Sequence, residues 1–144
     1  MTRIVPFKPW HLSLVDPQPE QALLVAGHLN DEYGEAFLAA GPAWSCVDLF
    51  RVYGCAGFVV ERNQATAWAI LGRDIGPHFT LVHRQVARTL ANSNFPLVVT
   101  AVRHGFDAGE RWAAMLGFER EKIAWAAGPD GQDYDLWSID RSVH

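Results

Sequence analysis

The stretch Ala65-Thr66-Ala67-Trp68-Ala69-Ile70-Leu71-Gly72-Arg73-Asp74-Ile75-Gly76-Pro77-His78-Phe79 changes character midway. Up to Leu71 it is β-rich, and it predicts a strand. Beyond it, Phe79, Val82, Val86 and Leu90 fall at offsets of 3, 7 and 11, which predicts an amphipathic helix from Pro77 to Ala91. Pro77 suits the first turn of that helix. Where a strand passes into a helix, the first backbone N–H groups lack internal partners and the dipole favours negative charge, so a phosphate can bind there. Gly76 would let the backbone approach such a ligand, and Arg73 would add a charge-assisted contact. A plain turn has the same spacing, so spacing leaves both readings open.

Outward from this segment, the chain alternates strands and helices. Downstream, Leu97-Val98-Val99-Thr100-Ala101-Val102 is a nearly continuous apolar run, typical of a central strand buried on both faces. A strand–helix–strand connection of this kind predicts that Ala65–Leu71 and Leu97–Val102 run parallel. A further helix is expected over Asp107 to Leu116, ending at Gly117, and a hairpin of Lys122–Ala127 and Tyr134–Ile139 around Gly128-Pro129-Asp130-Gly131. Upstream, Trp44–Phe50, Cys55–Val60 and Ala65–Leu71 form three β-rich runs with short connections at Tyr53-Gly54 and Glu61–Gln64, an antiparallel meander. Before them come a strand at Arg3–Phe7 and helical spacing at Leu23, Ala26, Leu29 or Tyr33, and Phe37, which Gly27 and Gly34 divide into two helices.

The bulk numbers suit one core. A chain of 144 residues with 49% hydrophobic content is the length of a single domain, expected here over residues 1–144. The net charge of −4 argues against a surface built to neutralise a phosphate backbone, so nucleic acid is not an expected partner. No run approaches the roughly 18 apolar residues of a membrane span, and a cytoplasmic protein without membrane contact is expected. Cys46 and Cys55 have neither CxxC nor disulfide-framework spacing, and His78 and His83 fall on different helix faces, so no metal site is expected. His83, Arg84 and Arg88 make a basic helix face, read as solvated.

Two motifs carry a family resemblance. Arg73-x-x-Gly76-x-His78 is similar to the pyrophosphate-loop pattern of the GNAT N-acetyltransferases, and Trp112-Ala113-Ala114-Met115-Leu116-Gly117-Phe118 resembles that family's segment ending in Leu-Gly-Phe. From Trp44 to the C-terminus, Ala67–Leu71, Gly76-Pro77-His78, Gly109–Trp112 and the Asp130-Gly131 hairpin also look like small GNAT-like proteins of tailed bacteriophages, some of them internal virion proteins. The resemblance implies an α+β fold of α/β/α layers, with a mixed, mostly antiparallel sheet of about six to seven strands and about four helices. It implies acetyl-CoA as co-substrate and direct transfer of the acetyl group to an amine of a protein or small molecule. Ala69, Ile70 and Leu71 would hold the thioester and pantetheine, while Arg73, Ile75, Gly76, Pro77, His78 and Phe79 would surround the pyrophosphate. An oligomer is compatible with this reading, as is host cytoplasm or virion for a phage-encoded chain.

The sequence departs from the family at mechanistic positions. His78 replaces a small residue, Ala113 stands where a Tyr acid is usual, and Phe106 stands where many members have Asn. Transfer needs a base to free the amine of its proton and an acid for the leaving thiolate. Glu61 is the expected base, its alternative being a solvated hairpin carboxylate. Tyr53 and Tyr134 are the expected replacement acids, their alternative being packed strand residues. His104, at a predicted strand end, is a further candidate against a plain surface histidine. These departures keep open a GNAT-fold protein that binds without catalysis.

Overall fold

The computed structural model describes residues 1–22, 29–49, 51–128 and 131–141. Its strands are β1 (Arg3–Pro6), β2 (Ala43–Val47), β3 (Val52–Glu61), β4 (Gln64–Leu71), β5 (Leu97–Arg103), β6 (Glu119–Ala127) and β7 (Asp133–Asp140). Its α-helices are α1 (Pro19–Ala22), α2 (Asp31–Ala40), α3 (Phe79–Asn92) and α4 (Asp107–Met115), with short 3-10 turns at Pro9–Leu14 and Gly76–His78. The seven strands follow the order β1-β2-β3-β4-β5-β7-β6. The recorded pairings are antiparallel apart from β4 with β5, which is parallel as the crossover predicts. The α+β class and the mostly antiparallel sheet expected from the sequence are those found. Leu23, Ala26, Gly27, Phe50, Pro129 and Asp130, used in that reading, lie outside the described residues.

The chain clusters into two compact units, Met1–Val59 with Trp68–Ser93, and Val60–Ala67 with Asn94–His144. In the first unit the core gathers Phe7, Leu12, Val15, Val47, Val52, Cys55 and Ile70, with Phe37 and Trp68 packed against it. Trp68 stacks on Phe37 at 4.2 Å between centroids and receives the edge of Phe7 at 5.8 Å. Offset and edge-on aromatic contacts of this kind add specificity beyond the area they bury. The helical spacing of α3 is confirmed by burial of Val82, Val86 and Leu90. Its start lies slightly later than predicted, because Gly76-Pro77-His78 forms the 3-10 turn leading into it.

One turn assignment in this unit is corrected, and the role of one glycine is revised. Tyr53-Gly54 is not a connection: both residues belong to β3, and Gly54 sits opposite Cys46 of β2. The chain reverses earlier, where Asp48 N–H donates to Arg51 O at 3.0 Å and the Asp48 carboxylate accepts from Arg51 N–H at 2.9 Å. Two helices, α1 and α2, precede β2 as expected, but Gly34 is not what separates them. It lies inside α2, where a Cβ would come within 2.4 Å of the Pro9 carbonyl, so glycine there permits close packing on the Pro9–Leu14 turn. The start of α2 is set by Asn30, whose side chain accepts from Tyr33 N–H at 3.0 Å, with Asp31 and Glu32 in the first turn.

A neutral polar centre is buried in the same unit. His11 is 4% exposed; its Nδ1 accepts from Lys8 N–H at 3.0 Å and lies 2.8 Å from Ser45 Oγ, which in turn lies 3.4 Å from Cys55 Sγ. Burial, then the Lys8 charge, pushes the His11 pKa below its ordinary value. Cys46 and Cys55 are free, buried thiols, pushed up chiefly by burial to about 11 and about 12 respectively.

In the second unit β5 pairs with β7 from Leu97↔Asp140 to Arg103↔Tyr134, and with β4 from Gln64↔Leu97 to Thr66↔Val99. Hydrogen bonding on both edges makes β5 interior to the sheet, as predicted. Its faces are less covered than its apolar run suggested: Val98 is fully buried but Ala101 is exposed. The Leu116-Gly117-Phe118 segment has a conformational role. Gly117 takes φ +100°, its N–H donates to Ala114 O at 3.0 Å, and Phe118 N–H donates to Ala113 O at 3.0 Å. That is a Schellman cap, with buried Phe118 as its hydrophobic contact.

A charged centre lies in the second unit. Asp135 is 0% exposed and receives Ala124 N–H at 2.8 Å, His104 Nδ1 at 3.0 Å and Arg120 Nη1 at 3.5 Å. Burial raises the carboxyl pKa, but these donors outweigh it and hold Asp135 below the usual carboxylate value. No described helix is long and apolar enough to cross a membrane. No group of three or more metal-ligating side chains is clustered among the described residues.

Candidate functional site

The loop between β4 and α3 lies wholly in the first unit. β4 ends at Leu71, and the next residue, Gly72, bridges to Pro17 and donates its N–H to Tyr53 O at 2.7 Å. A Cβ at Gly72 would lie 2.7 Å from that carbonyl and 2.9 Å from the Asp74 carboxylate, so this glycine permits the chain's close approach to itself. Gly76 differs. A Cβ there would meet nothing within 4 Å, leaving its backbone open on one side.

The loop's backbone donors are largely committed. Arg73 N–H donates to Asp16 O at 2.9 Å, Ile75 N–H to Gly72 O at 3.2 Å and His78 N–H to Ile75 O at 2.7 Å. Pro77 has no N–H. Gly76 lies on the open side of this loop, where its backbone can come close to an anion. Ile75 is buried and anchors the loop, while the Arg73 guanidinium is exposed and touches Asp16 at 3.4 Å. These features fit a phosphate group: an open glycine with nothing within 4 Å of a would-be Cβ, and an exposed guanidinium three residues before it.

Tyr53 is brought to this loop. Its ring lies 4.2 Å from the His78 ring, and its hydroxyl donates to Asp48 Oδ2 at 2.6 Å. The bond to Asp48, then burial, pushes the phenol pKa up, so Tyr53 is protonated at neutral pH. Arg51 reaches from the β2–β3 turn to Asp74 at 2.9 Å, tying that turn to the loop. Phe79 starts α3, its ring stacked 6.2 Å from His83. Arg84 and Arg88 line, with Arg3 and Trp44, an open groove of about 480 Å³ along β1.

Ala69, Ile70 and Leu71 do not present free edges. Ala69 O accepts from Gln21 Nε2 at 2.8 Å, Leu71 N–H donates to Gln21 Oε1 at 3.0 Å, and Leu71 O accepts from Gln18 N–H at 3.0 Å. Ile70 is buried in the core. Gln21, Asp48 and Asp16 were not singled out in the sequence. Gln21 acts across 48 and 50 residues of chain, and no local spacing marks it.

The remaining candidates lie in the second unit. Glu61 is exposed at the end of β3, just before Arg62 at φ 48° in the hairpin turn. Tyr134 is buried on β7, opposite Arg103 and Ala126. Ala113 is buried on α4 and offers a methyl group where the family resemblance places a phenol. His104 is not a plain surface histidine: its Nδ1 is held by buried Asp135 while the side chain is 49% exposed. The sequence read His104 as a strand-end residue, but its partner lies 31 residues away on β7.

No protein-family profile and no curated protein matches the sequence. Solved structures do match the fold. An N-acetyltransferase from Staphylococcus aureus superposes with a TM-score of 0.68 at 12% identity, covering 98% of this chain and 98% of that one. The acetyltransferase of GNAT family from Streptococcus pneumoniae gives 0.67 at 14% identity over 96% and 98%. The GNAT-family acetyltransferase from Bacillus anthracis gives 0.67 at 10% identity over 97% and 93%. In fold, the chain is therefore of the GNAT acetyltransferase type.

Proposed function

We propose that the chain, as one GNAT-like domain, is an acetyl-CoA-dependent N-acetyltransferase that passes the acetyl group directly to an amine of a protein or small molecule. The observation that carries this reading is the β4–α3 loop, where Gly76 is open, Arg73 is exposed and the helix begins. Gly76 N–H and the Arg73 guanidinium would bind the pyrophosphate, with Ile75, Pro77, His78 and Phe79 shaping its bed and Ala69–Leu71 the place of the pantetheine arm. The bound coenzyme supplies a thioester carbonyl. Glu61 is proposed to take the amine's proton, and Tyr53 or Tyr134 to return one to the departing sulfur. Of the two phenols, Tyr53 adjoins the loop, and it would act by lending the proton now shared with Asp48.

Calorimetric titration with acetyl-CoA tests this. Binding is expected, with Arg73→Ala weakening it about tenfold through loss of one charge-assisted contact. Absence of any heat or thermal shift at millimolar ligand would end the reading.

A second reading is favoured by Ala113 and His78: a GNAT-fold protein that binds without turning over, associated with a phage virion or acting on a host protein. A buried methyl group can donate no proton. The phage assignment, and with it host cytoplasm or virion as location, rests on the sequence likeness from Trp44 onward. Acceptor-dependent thiol release from acetyl-CoA separates the two readings: present for the enzyme, absent for the binder.

A further inference from the structure

We infer that Gln21 is a built-in competitor for the amide-reading edge of β4. The inference rests on the coenzyme reading of the β4–α3 loop. Along a strand, residues two apart present their N–H and C=O groups on the same edge. Ala69 O and Leu71 N–H form such a pair, and the Gln21 carboxamide closes on both, its NH₂ donating at 2.8 Å and its oxygen accepting at 3.0 Å. One carboxamide thus does what the peptide group of a neighbouring strand would do. Gln18 N–H on Leu71 O continues the same edge at 3.0 Å.

A ligand carrying secondary amides in an extended arm, as pantetheine does, would seek this same donor and acceptor. It cannot share them with Gln21: the Leu71 N–H is a single donor, and the carboxamide fills the approach to it. Ligand entry therefore requires the Gln21 side chain to leave, and the two backbone bonds it makes oppose binding of the arm. The nucleotide half of the coenzyme, bound at Gly76 and Arg73, meets no such opposition. Gln21 in this way sets the coenzyme's affinity through its arm and selects for ligands whose amides replace both bonds.

The test uses the full chain, Gln21→Met and Gln21→Ala. Methionine keeps the stem and approximate volume while removing both hydrogen-bonding groups. Acetyl-CoA is titrated beside its phosphoadenosine diphosphate half, which lacks the arm, and Leu71 amide exchange is followed by NMR. Both variants are expected to bind acetyl-CoA about thirtyfold more tightly than the parent, since the ligand no longer displaces two bonds of net value about 1 kcal/mol each in water. Affinity for the nucleotide half should be unchanged. Leu71 exchange should rise in the variants and fall again on adding acetyl-CoA. Equal affinity of parent and variants for acetyl-CoA overturns the role of Gln21 and leaves the coenzyme reading standing. No binding of either ligand by any form overturns both. Unchanged Leu71 exchange in Gln21→Met overturns the hydrogen-bond assignment itself, whatever the coenzyme does.

Discussion

Among the described residues each compact unit buries an ionisable side chain in a hydrogen-bonded centre, and the two are satisfied in opposite ways. The first unit surrounds a neutral imidazole, His11, with Lys8 N–H and the Ser45 hydroxyl on one ring nitrogen. The second surrounds a carboxylate, Asp135, with a backbone N–H, an imidazole and a guanidinium. Burial alone penalises both groups when charged. In His11 nothing offsets that penalty and the group stays neutral, whereas in Asp135 the donors outweigh it. The charge state of a buried residue is thus decided by the number and type of its donors, and the two centres should respond differently to mutation and to pH.

The largest effect is expected from Asp135→Ala. Removing the carboxylate strands Ala124 N–H and leaves two cations facing each other when His104 is protonated. Breaking a fully buried pair costs about 3–5 kcal/mol, but His104 is half-exposed and Arg120 can turn to water, so about 2 kcal/mol is expected by urea unfolding. His11→Leu keeps an apolar body of similar size and should cost less, about 1 kcal/mol, through the unpaired Lys8 N–H and a Ser45 hydroxyl left with only the Cys55 thiol. A His11→Leu penalty exceeding that of Asp135→Ala would overturn the ranking of charged over neutral.

The pH profiles sharpen the same contrast. For His11 the folded pKa lies below the ordinary 6.5, so its stabilising contribution is complete above that value and is lost as pH falls towards the folded one. Asp135, held below the ordinary 3.8, contributes fully above that value and loses its contribution only as pH falls through its own, lower folded pKa. Stability measured by urea unfolding should therefore begin to fall below pH 6.5, and His11→Leu should flatten that first decline. A decline of unchanged slope in His11→Leu would refute the assignment.

The smallest effects are expected at the two indoles. Trp68 Nε1 and Trp137 Nε1 are buried without a partner, one in each unit. Trp68→Phe removes an unsatisfied donor while keeping a ring between Phe7 and Phe37, and Tm should move little, within about 1 kcal/mol of stability. Trp137→Phe removes the same kind of donor but also weakens the contact with Arg120, whose guanidinium lies 5.7 Å from the ring centroid, and should cost slightly more.

Much of the fold was legible because it depends on short-range pattern. The spacing of Val82, Val86 and Leu90 marked a helix, the apolar run at Leu97–Val102 marked an interior strand, and Gly117 marked the end of α4. Glycines misled where their role was packing rather than turning: Gly34 meets Pro9 and Gly54 meets Leu71, contacts no local rule contains. The candidate site was legible in part. Gly76 and Arg73 carried a motif, but Asp48, which holds the Tyr53 hydroxyl, and Gln21, which holds Ala69 and Leu71, have no motif of their own.

By itself, then, the sequence determined most of the strand and helix segments and that β4 feeds a helix through Gly76, since periodicity and backbone preference act within a few residues of chain. Only the tertiary structure decided which donors are still available. Leu71 N–H is answered from residue 21 and the His104 imidazole from residue 135, distances along the chain that no local preference spans. Availability of a hydrogen-bonding group depends on what else the fold brings to it, and that is settled when the chain packs.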